Sequence, residues 1–273
     1  MLTIFRTHAL FTALLIIVLY AAWFIVPAIY IDIDPSKKAL SDITNIIYQW
    51  KTQIVIFSVL VTLVTLLKWW KEVGFKPIHA GGLKFLLPPL LFLLILFVIA
   101  LVEDKGSTLF FGFVNLKQMF SFLLILLMLG FTEELLFRGI LYHGLETKFG
   151  VLSTVLLSAL IFGVFHYINL LVGAEFYATT YQVIHATAAA GFMYATLRLR
   201  IGAIWPVMLF HSMWDIGLIM IGSLQHTVSD RHAQALSSFS ILYALILILP
   251  ALLYGIFVYW RWTIWSHALQ EKL

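Results

Sequence analysis

The stretch MFSFLLILLMLGFTEELLFRG, residues 119–139, joins an uninterrupted apolar run to two adjacent carboxylates and an arginine. The apolar part is typical of a membrane helix, so Glu133, Glu134 and Arg138 are predicted to lie beside or within the lipid. An ionisable side chain at the centre of a membrane helix costs at least ~2.5–3.5 kcal/mol on insertion scales. Three such residues within a single short stretch therefore require mutual pairing, a polar cavity, or both. We expect the chemistry of the protein to lie here.

The composition is that of a polytopic membrane protein. Apolar residues make up 62% of the 273 residues, charged residues 11%, and the mean hydropathy is +1.01. Soluble domains have roughly 45–50% apolar and about 25% charged residues. Cysteine is absent, which excludes disulfides, thiolate metal ligands and a cysteine nucleophile. The net charge of +4 is explained by attraction to anionic lipid, so we expect the lipid bilayer and no nucleic acid as a partner.

The apolar segments predict an all-α fold, a polytopic membrane helix bundle of about eight transmembrane helices. About 20 mostly apolar residues are needed to cross ~30 Å of hydrocarbon, and continuous runs of this kind exclude an outer-membrane barrel. The stretch between residues 71 and 83 is expected to be a short interfacial segment. The predicted spans lie near residues 9–30, 53–70, 85–102, 117–143, 151–171, 177–197, 201–222 and 240–261.

The basic residues predict that both termini face the cytosol, because cytosolic loops of membrane proteins carry an excess of Lys and Arg. With the N-terminus inside, the larger share of the 17 basic residues falls on the inner side. These inner residues are Arg6, Lys68, Lys71, Lys76, Lys84, Arg138, Lys148, Arg198, Arg200, Arg261 and Lys272.

The two glutamates of the opening stretch are predicted to differ. Glu134 and Arg138 are spaced i,i+4, which places an acid and a base on the same helix face at pairing distance. Glu133 points about 100° away at 3.6 residues per turn and is left free. A carboxylate without its own cation in a site of low dielectric constant holds a proton more tightly, which suits a group that takes a proton from water. The alternative is that both glutamates lie in a cytosolic loop.

The next apolar segment contains FGVFH, which ends at His166. We predict a helical hairpin that turns at Phe149 and Gly150. Glu133 and His166 would then each lie about 25 Å from the turn, at a rise of ~1.5 Å per residue, and would be level on adjacent antiparallel helices.

The seventh segment contains HSMWD, in which His211 and Asp215 share one helix face. Counted from a turn near Arg200, Asp215 lies ~22 Å and His211 ~16 Å along the helix. Polar groups from three segments thus converge on one depth, which helix packing alone does not explain because each carries an insertion penalty. His185 of the sixth segment falls near the same level and either faces the cavity or makes an interhelical hydrogen bond.

Two chemistries suit this set of side chains. Glu133, His166 and His211 could hold a zinc ion with an open position for water. Alternatively, a glutamate acts as general base on water while the histidines and other polar groups assist and stabilise the oxyanion. The HExxH and GxSxG motifs of zincins and serine hydrolases are absent.

Three short motifs in the sequence have the same order and similar spacing as the motifs of a known protein family. EELLFRG resembles the EExxxR motif, FGVFH the FxxxH motif, and HSMWD the HxxxN-or-D motif of the CAAX-protease and bacteriocin-processing family, also called CPBP or Abi, of intramembrane proteases. The resemblance runs from about Leu116 to Gly222. It implies an eight-helix bundle with a catalytic cavity inside the membrane, and endopeptidase activity, which in the eukaryotic relatives acts on prenylated C-terminal CAAX substrates. For this chain we expect a peptide or membrane-protein substrate that is membrane-associated or lipidated.

The resemblance also implies a role for each motif residue. Glu133 would activate the water together with His166, while Glu134 and Arg138 would orient and support the site. The remaining motif would supply the oxyanion site through His211 and Asp215.

Asp215 departs from the prenyl-protein proteases of this family, which have Asn at that position. An ionised Asp cannot donate a hydrogen bond to an oxyanion, so Asp215 must be protonated, orient His211, or bind a metal. We favour a metal-free site, because the Arg138 pair explains the separate roles of the two glutamates without a cation.

Together these observations predict an intramembrane endopeptidase in a bacterial plasma membrane, acting in bacteriocin maturation or self-immunity. The alternatives are a zinc-dependent version of the same protease and a noncatalytic membrane immunity or scaffold protein. The predicted organisation comprises three N-terminal transmembrane helices in residues 1–115, the catalytic core in residues 116–222 and a C-terminal transmembrane helix in residues 223–273.

Overall fold

The computed structural model describes residues 2–30, 43–103, 116–172, 176–229 and 236–270. Every regular element in these ranges is helical, and the ranges contain no strand. The predicted all-α class is therefore confirmed for the described part of the chain. The predicted boundary at residue 115 lies outside the described residues, as does Lys272 of the predicted inner side.

Eleven α-helices lie within the described ranges. They are α1 (Leu2–Thr7), α2 (Ala9–Tyr30), α3 (Ile43–Leu67), α4 (Leu87–Glu103), α5 (Leu116–Glu134), α6 (Tyr142–Glu146), α7 (Val151–Phe165), α8 (Phe176–Ile184), α9 (Phe192–Ile201), α10 (Trp205–Ser229) and α11 (Leu236–Gln270). Short 3-10 helices cover Leu83–Leu86 and His166–Val172, and π-helical turns cover Leu135–Leu141 and His185–Gly191. The π-helical turns join α5 to α6 and α8 to α9 without a break.

Three helical stretches among the described residues are long and apolar enough to cross a membrane. They are Met119–Glu146, Val151–Leu171 and Ile246–Ala268, and they correspond to the predicted fourth, fifth and eighth spans. Shorter apolar helices cover Ala9–Trp23, Thr52–Leu67 and Leu83–Ile99. The protein is thus a helical membrane protein, and the count of eight spans stays a prediction.

The seventh span, predicted near residues 201–222 after a turn near Arg200, begins slightly later than expected. Helix α9 continues to Ile201, where Gly202 adopts a left-handed backbone conformation with φ of 81°. Glycine reaches this conformation without the Cβ clash that other residues meet, and it commonly ends a helix there. Helix α10 consequently begins only at Trp205 and runs to Ser229.

Two close helix crossings bring the motif-bearing segments together. Helix α5 packs against α10, and a Cβ atom on Gly130 would overlap Ser212, which also donates a hydrogen bond to the Leu127 carbonyl at 3.2 Å. Helix α7 packs against the second π-helical turn, where a Cβ on Gly163 would overlap Thr187. Small residues let helix backbones approach closely in membranes, so these glycines set the spacing of the bundle at the level of the motifs.

The segment between α3 and α4, predicted to be interfacial, is a series of turns packed against the α9–α10 connection. The His79 amide donates to the Ile201 carbonyl at 2.7 Å, and the Ile204 amide donates to the Gly74 carbonyl at 2.9 Å. Gly74 has a φ of 106°, and a Cβ there would press against Ile204. The turns are thus held by backbone hydrogen bonds to the end of α9.

Candidate active site

The first motif lies where α5 passes into a π-helical turn. Glu133 and Glu134 are the last residues of α5, and Arg138 sits in the middle of the turn Leu135–Leu141. The Phe137 carbonyl within this turn accepts a hydrogen bond from the Ser158 hydroxyl of α7 at 3.0 Å, which ties the turn to the neighbouring helix. Single π-helical turns inside α-helices occur frequently at functional sites.

The predicted pairing of Glu134 with Arg138 is present. Nη1 of Arg138 lies 2.9 Å from Oε1 of Glu134, and both side chains are fully buried. The guanidinium carbon is also 3.8 Å from the Phe162 ring centre and 5.4 Å from that of Tyr194. An arginine between aromatic faces gains additional cation–π stabilisation, worth about 2 kcal/mol when desolvated. The arginine is therefore held by one carboxylate and two rings.

His211 connects the motif of α10 to both glutamates. Its Nδ1 lies 2.9 Å from Oε1 of Glu134, and since a carboxylate only accepts, Nδ1 is the donor. Its Nε2 lies 3.7 Å from Oε2 of Glu133 and 3.5 Å from Oδ2 of Asp215. These two distances are too long for hydrogen bonds but suit loose charge contacts with room for a bridging group. One imidazole thus contacts three carboxylates.

The two glutamates differ in exposure. The Glu134 side chain is 0% exposed, whereas those of Glu133 and Asp215 are 17% and 21% exposed. The carboxylates that a water molecule or a peptide can reach are therefore Glu133 and Asp215. The buried Glu134 acts on them only through His211.

His166 stands at the end of α7, where the α-helix gives way to a 3-10 helix. Its Nδ1 is 2.9 Å from the Phe162 carbonyl, and because a carbonyl only accepts, Nδ1 donates. The neutral ring then carries its lone pair on Nε2, which is free to accept a proton or a hydrogen bond. The ring also contacts Phe162 edge-on at 4.8 Å.

Five of the six predicted residues are thus joined by direct charged contacts, and His166 joins them through an aromatic ring. Phe162 contacts Arg138 and both His166 and His211, the last at 6.0 Å between ring centres. Within the described residues, the charged contact of Glu133 is with His211 rather than with His166. The sequence predicted how far along its helix each of these residues lies, from the rise per residue. It did not predict which neighbour each side chain faces, because that depends on how the helices pack.

Sequence reasoning missed Tyr194 and left His185 undecided. Tyr194 of α9 is fully buried, its ring centre is 4.8 Å from that of His211, and its hydroxyl has no hydrogen-bond partner among the described residues. His185 stacks on Trp214 of the HSMWD motif at 6.0 Å, so its interhelical contact is a ring stack. The sequence shows Tyr194 only as one tyrosine in an apolar segment, which is weak evidence for a residue of the active site.

The proposed zinc ligands do not form a metal-binding arrangement in this geometry. Among the described residues, no group of three or more His, Asp or Glu side chains is placed so that it could hold a metal ion. Nδ1 of His211 donates to Glu134 and Nδ1 of His166 donates to a backbone carbonyl, so Nε2 is the nitrogen of each ring that could hold a metal.

Comparison with known families agrees with the motifs. Residues 115–217 match the family model described as type II CAAX prenyl endopeptidase, Rce1-like. The match covers all six candidate residues and confirms the resemblance to the CAAX-protease and bacteriocin-processing family for this segment. The comparisons with curated proteins and with solved structures found no match.

Proposed function

Because residues 115–217 match the Rce1-like CAAX endopeptidases, we propose that this protein is an intramembrane endopeptidase that cleaves a membrane-associated or lipidated peptide with a water activated by Glu133. The main support for the proposal is that the two glutamates beside His211 differ in burial and in pairing. Glu134 is buried and paired, whereas Glu133 is partly exposed beside the free edge of the imidazole.

Glu133 is the general base of the proposed reaction. Its carboxylate takes a proton from water as the water oxygen attacks the scissile carbonyl carbon, and the same proton then passes to the leaving amine as the C–N bond breaks. Nε2 of His166 is available to accept a second hydrogen bond from the same water. Both groups remain unchanged at the end of the cycle.

His211 is suited to stabilise the oxyanion that forms on the carbonyl oxygen. In the imidazolium form both ring nitrogens donate, with Nδ1 held by Glu134 at 2.9 Å. Nε2–H then faces Glu133 at 3.7 Å and Asp215 at 3.5 Å, and no closer contact is recorded among the described residues. A donor held in advance at the position of developing charge is a large contribution to acyl-transfer catalysis.

The remaining residues act through His211. Arg138 keeps the Glu134 carboxylate in place, and Glu134 selects the ring orientation in which Nε2 faces the accessible side. Of the three roles open to Asp215, its position 3.5 Å from Nε2 of His211 supports orientation of the imidazole. The reaction needs no metal step in this scheme.

The finer features of the proposal rest on the family resemblance and on the sequence. We propose eight membrane spans around an intramembrane cavity, both termini in the cytosol, a bacterial plasma membrane, and a role in bacteriocin maturation or self-immunity. The excess of basic residues on the inner side supports the orientation.

The proposal is tested by comparing membrane peptides from cells that express the wild type or Glu133→Ala. We expect a set of cleavage products that depends on Glu133, with unchanged abundance and thermal unfolding of the purified variant. Glu146→Ala, at an exposed position at the end of α6, is the matched control and should preserve cleavage. Identical peptide sets in all three strains, or a cellular phenotype that survives the combined change of Glu133 and His166, would instead indicate a noncatalytic scaffold.

A further inference from the structure

Ser158 of α7 is a buried residue that belongs to none of the three motifs. Its side chain is fully buried, and its hydroxyl donates to the Phe137 carbonyl in the π-helical turn Leu135–Leu141 at 3.0 Å. The two residues are 21 positions apart, so this hydrogen bond joins two neighbouring helices. Phe137 directly precedes Arg138, and the bond therefore acts on the backbone beside the arginine of the first motif.

The Phe137 carbonyl accepts two hydrogen bonds. The backbone amide of Tyr142 donates to it along the helix, and the Ser158 hydroxyl donates to it from the neighbouring helix. A carbonyl oxygen has two lone pairs and can accept both. Loss of the hydroxyl would therefore leave the carbonyl with its helical partner and would not create an unsatisfied buried group. The main effect of Ser158 is then on the position of the turn relative to α7.

Aromatic contacts accompany this hydrogen bond between the turn and α7. The Phe137 ring packs edge-on against Phe162 and Phe165, at 5.1 and 5.3 Å between ring centres. The guanidinium carbon of Arg138 lies 3.8 Å from the Phe162 ring centre. Aromatic pairs tolerate centre separations of about 4.5–7 Å, whereas a hydrogen bond restricts both a distance and an angle. The bond of Ser158 therefore adds a defined position to contacts that could otherwise slide.

Ser158 also lies on the side of α7 that carries the second motif. Phe162 is four residues further along and His166 eight, so the three side chains follow one stripe of the helix at about 100° per residue. The Phe162 ring contacts those of His166 at 4.8 Å and His211 at 6.0 Å between ring centres. A bond that fixes this stripe against the π-helical turn therefore also affects where both imidazoles lie.

We propose that Ser158 is a positioning residue of the active site. Its hydrogen bond holds the π-helical turn in the place from which Arg138 contacts Glu134 at 2.9 Å, and Glu134 in turn holds Nδ1 of His211. Ser158 thus acts on the reacting groups only through this series of contacts. A displacement of about 1 Å in an active site can cost about 10²-fold in rate. The expected effect on rate rests on the proposed hydrolysis, whereas the effect on the position of His211 does not.

The first test measures kcat and KM of full-length Ser158→Ala on a peptide whose cleavage depends on Glu133. Misplaced groups weaken contacts made in the transition state, so we expect kcat to fall about tenfold or more while KM is unchanged. The matched control is Thr154→Val, because Thr154 is also buried on α7 but donates to the Phe149 carbonyl, beside the start of its own helix, at 3.5 Å. This control should keep kcat within about twofold of the wild type. Both variants should unfold within about 4 °C of the wild-type Tm.

Ser158→Thr and Ser158→Val separate the hydroxyl from the volume of the side chain. Thr and Val are both branched at Cβ and similar in shape, so crowding in the buried position affects both, but only Thr can donate to the Phe137 carbonyl. We expect kcat of Ser158→Thr to exceed that of Ser158→Val about tenfold. This comparison remains decisive if Ser158→Ala does not fold.

A second measurement does not require peptide hydrolysis. In protein carrying isotope-labelled histidine, the NMR resonance of His211 Nδ1 reports its contact with Glu134, and its loss in His211→Gln identifies it among the nine histidines. We expect this resonance to shift in Ser158→Ala and to stay in place in Thr154→Val.

The outcomes distinguish this proposal from the proposed function. An unchanged His211 resonance in Ser158→Ala, or equal kcat for Ser158→Thr and Ser158→Val, would overturn the role of Ser158. A shifted resonance in a protein that yields no Glu133-dependent product would support that role and refute the proposed hydrolysis.

Discussion

Nδ1 of His211 lies 2.9 Å from Oε1 of Glu134, in a buried contact between α10 and α5. The residues are 77 positions apart in the chain, yet this contact orients the imidazole and leaves its other nitrogen facing the accessible carboxylates. The contact makes Glu134 a positioning residue, since it reaches the reacting groups only through His211. It also separates the expected effects of changing the two glutamates.

Glu133→Gln and Glu134→Gln should have unequal consequences. Glu133→Gln removes the proposed base, and we expect cleavage to fall about 10²–10⁴-fold with little change in the free energy of unfolding. Glu134→Gln leaves Arg138 buried without its carboxylate, so we expect a loss of roughly 3–5 kcal/mol in stability together with reduced cleavage. Peptide-cleavage assays and denaturant unfolding check both. A larger stability loss in Glu133→Gln would contradict the assignment.

Asp215→Asn should retain activity, within about tenfold of the wild type. The Asn side-chain oxygen keeps a polar atom facing Nε2 of His211, and the prenyl-protein proteases that the motif resembles have Asn at this position. Asp215→Leu removes the acceptor at a similar volume and should lose considerably more activity. The comparison of kcat for the two variants is the measurement, and equal losses would show that the charge of Asp215, not its acceptor oxygen, matters.

Gly130→Ala should separate α5 from α10 and disturb the contact between His211 and Glu134. The added Cβ would lie 2.9 Å from the Ser212 backbone nitrogen, and backbone atoms cannot move aside as a flexible side chain can. We expect a loss of about 1–3 kcal/mol in stability, as for other overpacked sites, and impaired cleavage. Gly150→Ala is the matched control, because nothing lies within 4 Å of its added Cβ. Unchanged unfolding of Gly130→Ala would contradict this account of the crossing.

Tyr194→Phe should leave stability unchanged or slightly raised. The buried Tyr194 hydroxyl has no hydrogen-bond partner among the described residues, and an unsatisfied buried polar group costs about 1–3 kcal/mol. Tyr194→Leu loses the ring contacts with His211 and Arg138 as well, and we expect it to be destabilised. Thermal unfolding of the two variants measures the difference. Strong destabilisation by Tyr194→Phe would reveal a partner for the hydroxyl.

Exhaustive chelation should leave cleavage intact under the metal-free proposal. The purified protein should also contain no stoichiometric zinc by elemental analysis. Loss of cleavage on chelation, with recovery on addition of zinc, would favour the zinc-dependent alternative through Glu133, His166 and His211. Because no such group of three ligands is assembled among the described residues, a zinc-dependent enzyme would further require these side chains to move closer together when the metal binds.

Several features could be predicted because they are local in the chain. The long apolar run before Glu133 predicts a membrane helix, and Met119–Glu146 is one. The turn at Phe149 and Gly150 was also predictable, since α7 begins at Val151 with Gly150 as its N-terminal cap. The exact residue at which α10 begins could not be predicted, because it depends on how Gly202 packs against the turns before α4.

The sequence by itself determined the helical membrane class, the three motifs and the pairing of Glu134 with Arg138, because apolar length and i,i+4 spacing act within a single helix. Only the tertiary structure decided which glutamate His211 holds and which carboxylates remain accessible. Rise along a helix places residues at one level, but their direction depends on crossings between helices far apart in the chain, such as that of Gly130 with Ser212.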